Sequence, residues 1–255
     1  MTETQSALTL APLTLVLGAC GGAGGTTTAL GLANVTATQG FPVVAVDTTP
    51  AGGDLADRGA DTHLSKGNLE QLVATSSGGP IKDDVFEACS SRTAAGVRLL
   101  QRAGEHTAGN ADFGAVDLYL RSRAVAGVYD VGHRLRASYL APLLTDKKAP
   151  IVLTVPCRAD AFNRMRGALE SIASTLGAAG LARTVIAVSN QDAKGWQVDV
   201  DQLREYLAGR VWGVEQIPYD EHLASGVVVD HSKLAPETVA AYGRLSAATS
   251  AISVQ

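Results

Sequence analysis

Apolar runs and helix-type patterns alternate along this chain. The runs lack the polar alternation of a half-exposed strand, so each fits a strand that is buried on both faces. They lie at Leu13–Gly18, Pro42–Asp47, Val97–Leu100, Ala126–Asp130, Ile151–Val155, Thr184–Ser189 and Val214–Ile217. Helical patterns lie between them at Thr26–Gln39, Asp112–Ser122, Ala159–Leu176, Val200–Leu207 and Pro236–Ile252, with short pieces near Leu55 and at Leu69–Val73. The alternation predicts an α/β fold: a single doubly wound domain over residues 1–255 with a mostly parallel sheet, of which residues 1–12 are expected to be flexible.

The composition supports one globular domain and limits its partners. Of the 255 residues, 46% are hydrophobic, which is enough for a large core and excludes a disordered chain. The net charge is −4, so a coat for nucleic acid is not favoured. The cysteines Cys20, Cys89 and Cys157 form no CxxC pair, which predicts a protein of the reducing cytoplasm. No apolar run approaches the roughly 18 residues of a membrane span, so no span is expected.

A glycine-rich segment joins the first predicted strand to the first predicted helix. It reads GACGGAGGTTT over residues 18–28. Glycines let backbone N–H groups converge on an anion, and the N-terminus of the helix adds positive potential. The segment is therefore a candidate phosphate-binding loop. The alternative is a tight strand-to-helix turn that uses glycines for packing.

Five segments of the chain follow one another in a characteristic order. They are CGGAGGTT at 20–27, VVAVD and TTPAGGD at 43–54, VYD at 128–130, VSN at 188–190 and IPYD at 217–220. Their order and spacing resemble the deviant Walker ATPases, the ParA/MinD family. In that family the matching segments are the KGGVGKTT loop, the D-x-D-P-x-G motif, the Walker B strand, a strand ending in an adenine-contacting Asn, and a late I-P-x-D segment. The resemblance spans residues 13–225 and implies a P-loop NTPase fold of the ParA/MinD type.

The resemblance also implies which residues form the site. Nucleotide contacts would come from Gly21, Gly22, Ala23, Gly24, Gly25, Thr26, Thr27, Asn190, Pro218, Tyr219 and Asp220. Asp47 and Asp130 would be catalytic, orienting the attacking water and holding Mg²⁺ through water, and Thr26 and Asp130 would be the residues of the magnesium site. The alternative for each aspartate is that it caps the turn that follows its strand. The implied cofactors are ATP or ADP with Mg²⁺.

The loop departs from the family pattern at both of its lysines. One lysine is replaced by Cys20 and the other by Gly25, and no Lys occurs before Lys66. Thr49 replaces the second acid of the D-x-D motif. A lost charge-assisted contact to phosphate costs about 1.5–3 kcal/mol. Nucleotide binding by the backbone is therefore expected to survive better than hydrolysis, which needs cations at the developing charge.

We therefore expect a nucleotide-binding or pseudo-ATPase factor that positions or scaffolds a cargo. Members of the family position plasmids, chromosomes, the division machinery or pilus and secretion complexes, and the altered loop is reminiscent of the TadZ-like branch. The expected partners are a second copy in a homodimer and a protein cargo or assembly partner.

Two other functions remain open at this stage. One is an active ATPase of the same fold, in which an Arg from elsewhere in the chain or from a partner replaces the lysines. The other is a partition protein that binds DNA non-specifically through arginines of the middle third: Arg98, Arg102, Arg121, Arg123, Arg134, Arg136, Arg158, Arg164 and Arg166. The acidic total favours a solvated face for these arginines. The closing helix lacks the basic amphipathic pattern of a membrane-binding tail and is expected to pack.

Overall fold

A computed structural model describes residues 12–49, 54–76, 79–103 and 113–254. The segment expected to be flexible at 1–12 lies outside these ranges apart from its last residue, and so does the part of the TTPAGGD segment at 50–53. The helices are α1 (Gly25–Thr38), α2 (Leu55–Gly59), α3 (Leu69–Thr75), α4 (Asp83–Cys89), α5 (Phe113–Ser122), α6 (Ala141–Leu144), α7 (Ala159–Ala182), α8 (Val200–Leu207), α9 (Glu221–Ala224) and α10 (Pro236–Ser253).

Eight strands form one sheet in the described part of the chain. They are β1 (Leu13–Gly18), β2 (Val43–Asp47), β3 (Ser91–Arg92), β4 (Arg98–Leu100), β5 (Ala126–Asp130), β6 (Ile151–Pro156), β7 (Thr184–Ser189) and β8 (Gly213–Ile217). Their order in the sheet is β3-β4-β2-β5-β1-β6-β7-β8. Every neighbouring pair is parallel except β3 and β4, which are antiparallel. The predicted α/β fold with a mostly parallel sheet is confirmed.

Helices cover both faces of the sheet. Along β1, the side chains alternate between two cores, with Leu15 and Leu17 in one and Val16 in the other. The Val16 core is closed by α1, α2 and α10, and includes Leu30 and Tyr242. The opposite core is closed by α3 to α8. Burial on both faces explains why the strands read as continuous apolar runs.

Four elements and one helix end were not predicted. The short helices α4, α6 and α9 and the two-residue strand β3 are too brief to give a periodic pattern. Helix α7 was expected to end at Leu176, but it continues to Ala182 across Gly177, whose φ of 70° interrupts the helical backbone. Glycine adopts this left-handed conformation at little cost, so the helix bends there and resumes.

The carboxyl ends of the parallel strands meet at one edge of the sheet. Asp47 at the end of β2 lies opposite Asp130 at the end of β5. Gly18 ends β1 beside Thr154 of β6, and Asn190 follows β7 directly. These strand ends thus share one edge, as the predicted parallel sheet requires. Ligands of doubly wound sheets bind at this edge, so the candidate site is expected here.

The helices within the described ranges include none that is both long and apolar enough to cross a bilayer.

Candidate nucleotide-binding site

The glycine loop is a turn whose first residues are fixed by backbone hydrogen bonds. The Gly18 N–H donates to the Gly132 carbonyl at 2.6 Å, and the Ala19 N–H donates to the Thr154 carbonyl at 2.9 Å. Gly22 and Gly24 have φ of 71° and 82°, a conformation that residues with a side chain rarely adopt. Backbone contacts to the turn after β5 and to β6 thus fix the start of the loop.

Gly25 is the first residue of α1, and its backbone places no demand for glycine. Its φ lies outside the left-handed region. A Cβ built there would meet Asp130 Oδ1 at 3.6 Å and Thr154 Oγ1 at 3.8 Å, which are ordinary contact distances. A lysine is thus sterically compatible with the position where the family resemblance expects one.

A cavity of about 390 Å³ lies over the loop, and we call it the phosphate cavity. Residues 20–27 line one side, and the other residues on its walls include Thr49, Asp54, Asp130, His133 and Gln191. The chain's 21 Lys and Arg residues all fall within the described ranges. None of them lines this cavity.

Thr26 and Asp130 meet directly on the wall of the phosphate cavity. Thr26 Oγ1 donates to Asp130 Oδ2 at 2.5 Å, and the Gly132 N–H donates to Asp130 Oδ1 at 3.1 Å. Asp130 is only 1% exposed. Burial raises the pKa of Asp130 to about 6; the Thr26 hydrogen bond opposes this rise, and the nearby Asp47 carboxylate adds to it.

Asp47 occupies the neighbouring strand end but faces its own turn. Its Oδ1 accepts from the Thr49 N–H at 2.9 Å and from Thr49 Oγ1 at 2.7 Å. Asp47 is fully buried and is not on the wall of the phosphate cavity, where Thr49 and Asp54 take its place. Both aspartates therefore make the turn-capping bond of the alternative interpretation, and Asp130 also contacts Thr26.

The pair Thr26 and Asp130 offers oxygen ligands of the type that Mg²⁺ prefers. No group of three or more His, Cys, Asp or Glu in the described ranges could hold a metal by itself. Protein sites for Mg²⁺ commonly supply one or two carboxylates and leave the remaining positions to water and substrate phosphates. The residues present thus fit a magnesium ion that arrives with a phosphate ligand.

A second cavity of about 270 Å³, which we call the base cavity, lies between the ends of β7 and β8 and the start of α1. It brings together four predicted residues: Asn190, Pro218, Tyr219 and Asp220. Gly24, Thr27 and Gln191 line both cavities, so the two spaces adjoin.

Asp220 shapes the base cavity through hydrogen bonds within the chain. Its carboxylate accepts from the Leu223 N–H at 3.1 Å and from the Ala235 N–H at 2.9 Å. Burial acts to raise the pKa of Asp220, but these backbone donors outweigh it and hold the pKa below the usual range. Asp220 therefore caps α9 and ties the segment before α10 to the cavity.

Tyr242 and Gln191 belong to the site but were not predicted. Tyr242, on α10, lines the base cavity, and its ring lies against Gly31 of α1, where an added Cβ would come within 2.4 Å. Gln191 Nε2 donates to the Gly22 carbonyl at 3.2 Å and so links the end of β7 to the loop. Neither residue belongs to a recognisable sequence motif: Tyr242 is a lone aromatic residue on a packing helix, and Gln191 simply follows Asn190. The sequence therefore carries no signal for either.

No protein-family model matches the sequence, and none of the curated proteins matches it. Solved structures match it over most of its length. The cell division ATPase MinD of Pyrococcus furiosus has a TM-score of 0.68 at 16% identity, over 96% of this chain and 100% of that one. A ParA family ATPase from Chlorobium tepidum TLS has a TM-score of 0.64 at 16% identity, over 97% and 99%. The chain has the ParA/MinD fold.

A third structure with a similar fold holds a nucleotide. It is cobyrinic acid a,c-diamide synthase from Mycobacterium smegmatis with bound ADP and magnesium, with a TM-score of 0.58 at 14% identity and coverage of 93% of each chain. Within the ParA/MinD fold of the present chain, the predicted site residues gather at the two adjoining cavities, apart from Asp47.

In the described part of this ParA/MinD fold, five of the nine central arginines are paired with carboxylates. Arg98 pairs with Glu87, Arg121 with Asp117 and Asp146, and Arg123 with Asp83. Arg102 corrects the expectation of a solvated face. Its side chain is 1% exposed, pairs with Glu70 at 3.0 Å and donates to the Thr49 carbonyl. Because its side chain is buried, Arg102 holds the Thr49 backbone from inside the protein.

Proposed function

We propose that this protein binds an adenine nucleotide with Mg²⁺, hydrolyses ATP weakly or not at all, and acts as a positioning or scaffold factor. One observation carries the proposal: a base cavity adjoins a glycine-loop cavity whose described walls hold no Lys or Arg. The first half of that observation supports binding. The second half supports the loss of hydrolysis.

Nucleotide binding is supported by the chemistry of the two cavities. The backbone of the loop and the N-terminus of α1 suit phosphate, and Thr26 with Asp130 suits a magnesium ion that accompanies it. The base cavity has the polar side chain of Asn190 at its wall. The diamide synthase, which shares the fold, is a protein with bound ADP and magnesium.

Weak hydrolysis follows from the absence of fixed positive charge. Phosphoryl transfer develops charge on the transferred group, and enzymes stabilise it with Lys, Arg and metal ions. Here the magnesium ion would be the main cation. An active ATPase would need a basic residue from beyond the cavity wall, either from another part of the chain or from a second molecule. Arg102 is already engaged with Glu70 and the Thr49 carbonyl.

A positioning role rests on the fold that the chain shares with the cell division ATPase MinD and a ParA family ATPase. Partition of plasmids or chromosomes, cell division, and pilus or secretion localisation of the TadZ-like type are the roles that the proposal covers. The active form would be a cytoplasmic homodimer that holds a protein cargo. Non-specific DNA binding is less favoured, since the net charge is −4 and five of the nine central arginines are engaged with carboxylates.

The binding proposal is tested by calorimetric titration with ADP and ATP in excess Mg²⁺. Ala224 lines the base cavity at the exposed end of α9, so Ala224→Trp should fill the cavity and abolish binding while the fold is kept. The adjacent Ser225 is exposed and off the cavity wall, so Ser225→Trp is the matched control and should bind as the wild type does. Wild-type protein that binds neither nucleotide would refute the proposal.

A further inference from the structure

The order of the strands in the sheet determines the direction in which a bound nucleotide would lie across the candidate site, from its base to its terminal phosphate. The base cavity lies at the ends of β7 and β8, the glycine loop follows β1, and Asp130 and Asp47 end β5 and β2. These strands run β2-β5-β1-β6-β7-β8 across the sheet. A nucleotide whose base fills the base cavity and whose first phosphates lie on the loop therefore extends its terminal phosphate toward β5 and β2.

That end of the phosphate cavity is acidic. Asp130 lines it at the end of β5, and Asp54 lines it from the residue before α2. Asp54 is exposed, and its side chain makes no capping bond to the helix. Asp47 is buried directly beside Asp130. Among the described residues on the cavity wall, His133 is the only one with a basic side chain.

We infer that this site distinguishes nucleotides by the charge at their far end, so that without a divalent cation it binds the nucleoside diphosphate more tightly than the triphosphate. The inference rests on the proposed function. The loop N–H groups and the N-terminus of α1 serve the phosphates nearest to them. The third phosphate adds negative charge beside Asp54 and Asp130, where an intact loop of the type it resembles would present a lysine.

A magnesium ion cancels this discrimination. Thr26 and Asp130 would hold it at the same end of the cavity, where it would supply positive charge beside the carboxylates. The triphosphate should therefore regain affinity in Mg²⁺ more than the diphosphate does. Like charges at solvated sites change affinity by about threefold or more per pair at contact-scale distances.

The test is a calorimetric or competition titration of the whole chain with ADP and with ATP, first in EDTA and then in excess Mg²⁺. We expect ADP to bind at least about threefold more tightly than ATP in EDTA, with the difference closing in Mg²⁺. ATP binding as tightly as ADP in EDTA would overturn the inference and leave the proposed function standing. Failure of both nucleotides in both buffers would instead refute the proposed function.

Two variants identify the charge that is responsible. Asp54→Asn should reduce the preference for ADP in EDTA, because it removes a carboxylate from the cavity wall without touching a strand. Asp57→Asn is the matched control, since Asp57 is an exposed residue of the same short helix but does not line the cavity. An unchanged preference in Asp54→Asn, or an equal reduction in both variants, would overturn the charge explanation.

Discussion

Thr26 Oγ1 donates a 2.5 Å hydrogen bond to Asp130 Oδ2, and the two residues are 104 positions apart in the sequence. The bond joins the first turn of α1 to the end of β5. The Asp130 carboxylate is buried, and none of the ion pairs among the described residues involves it. A buried carboxylate with hydrogen bonds but no cation is costly to ionise.

Because of that cost, Asp130 should lower the free energy of unfolding in a pH-dependent way. Its pKa is about 6 in the folded protein against an ordinary value of 3.8. Below about pH 4 the group is protonated in both states and costs nothing; as pH rises through 6 it ionises in the folded state, and the stability that protonation gave is lost. A rise of about two units corresponds to roughly 3 kcal/mol.

Asp130→Asn should therefore raise the free energy of unfolding at pH 8 and have little effect at pH 4. Denaturant unfolding at the two pH values measures this difference. Asp57→Asn, at an exposed position, serves as the control and should change stability little at either pH. A variant less stable than the wild type at pH 8 would contradict the argument.

Gly25→Lys should strengthen nucleotide binding without disturbing the fold. The backbone at Gly25 suits a side chain, and its Cβ would have ordinary contacts with Asp130 and Thr154. A new ammonium–phosphate contact is worth about 1.5–3 kcal/mol, or roughly 10- to 150-fold in the dissociation constant of Mg-ADP. Gly25→Met makes the same backbone change without charge and should bind as the wild type does. Equal affinities for the Lys and Met variants would be evidence against a phosphate at this position.

The purified wild-type protein should show negligible ATP hydrolysis. Neither Cys20 nor Gly25 provides a cation, and the loss of two charge contacts at the transferred phosphoryl group lowers the rate by about 10²- to 10⁴-fold. A phosphate-release assay measures turnover. Gly25→Lys should not restore full turnover, because Cys20 stays uncharged. Wild-type turnover at the level of an intact-loop ATPase of the same fold would revive the active-ATPase alternative.

Any homodimer of this protein should depend little on ATP and persist without nucleotide. In the family that the loop resembles, subunits meet across the phosphate loop, and the lysine that contacts the partner's nucleotide corresponds to Cys20 here. Without that charge, ATP adds no attraction between the subunits. Sedimentation should therefore give the same association constant with and without ATP. The prediction would be wrong if the protein were a monomer that dimerises only when ATP is added.

Gly31→Ala should destabilise the protein by about 1–3 kcal/mol, the usual effect of overpacking a tight core. The added Cβ would lie 2.4 Å from the buried Tyr242 ring, which would have to shift to relieve the clash. Because Tyr242 also lines the base cavity, affinity for Mg-ADP should fall as well. The control is Gly167→Ala, on the exposed side of α7, where a Cβ meets nothing within 4 Å and should raise stability slightly.

The sequence reveals the strands and the loop better than it reveals the contacts between them. Buried parallel strands such as β1 and β7 are unbroken apolar runs, and glycines mark the turn after β1, so both are readable locally. The engagement of Arg102 with Glu70 is not, since it joins residues 32 positions apart and leaves no pattern in either neighbourhood. The same holds for Tyr242, whose role depends on where α10 packs.

The packing of α10 on α1 has a consequence for the order in which the protein matures. Thr36 and Ser246 are hydrogen-bond partners 210 residues apart, and Tyr242 rests on Gly31 beside the base cavity. During synthesis, the phosphate loop leaves the ribosome early, with α1 behind it, but α1 lacks its covering helix until residues 236–253 emerge. A nascent chain can thus carry the complete loop before the base cavity has its wall from α10. If the protein binds a nucleotide as proposed, binding should begin only after α10 has emerged and packed.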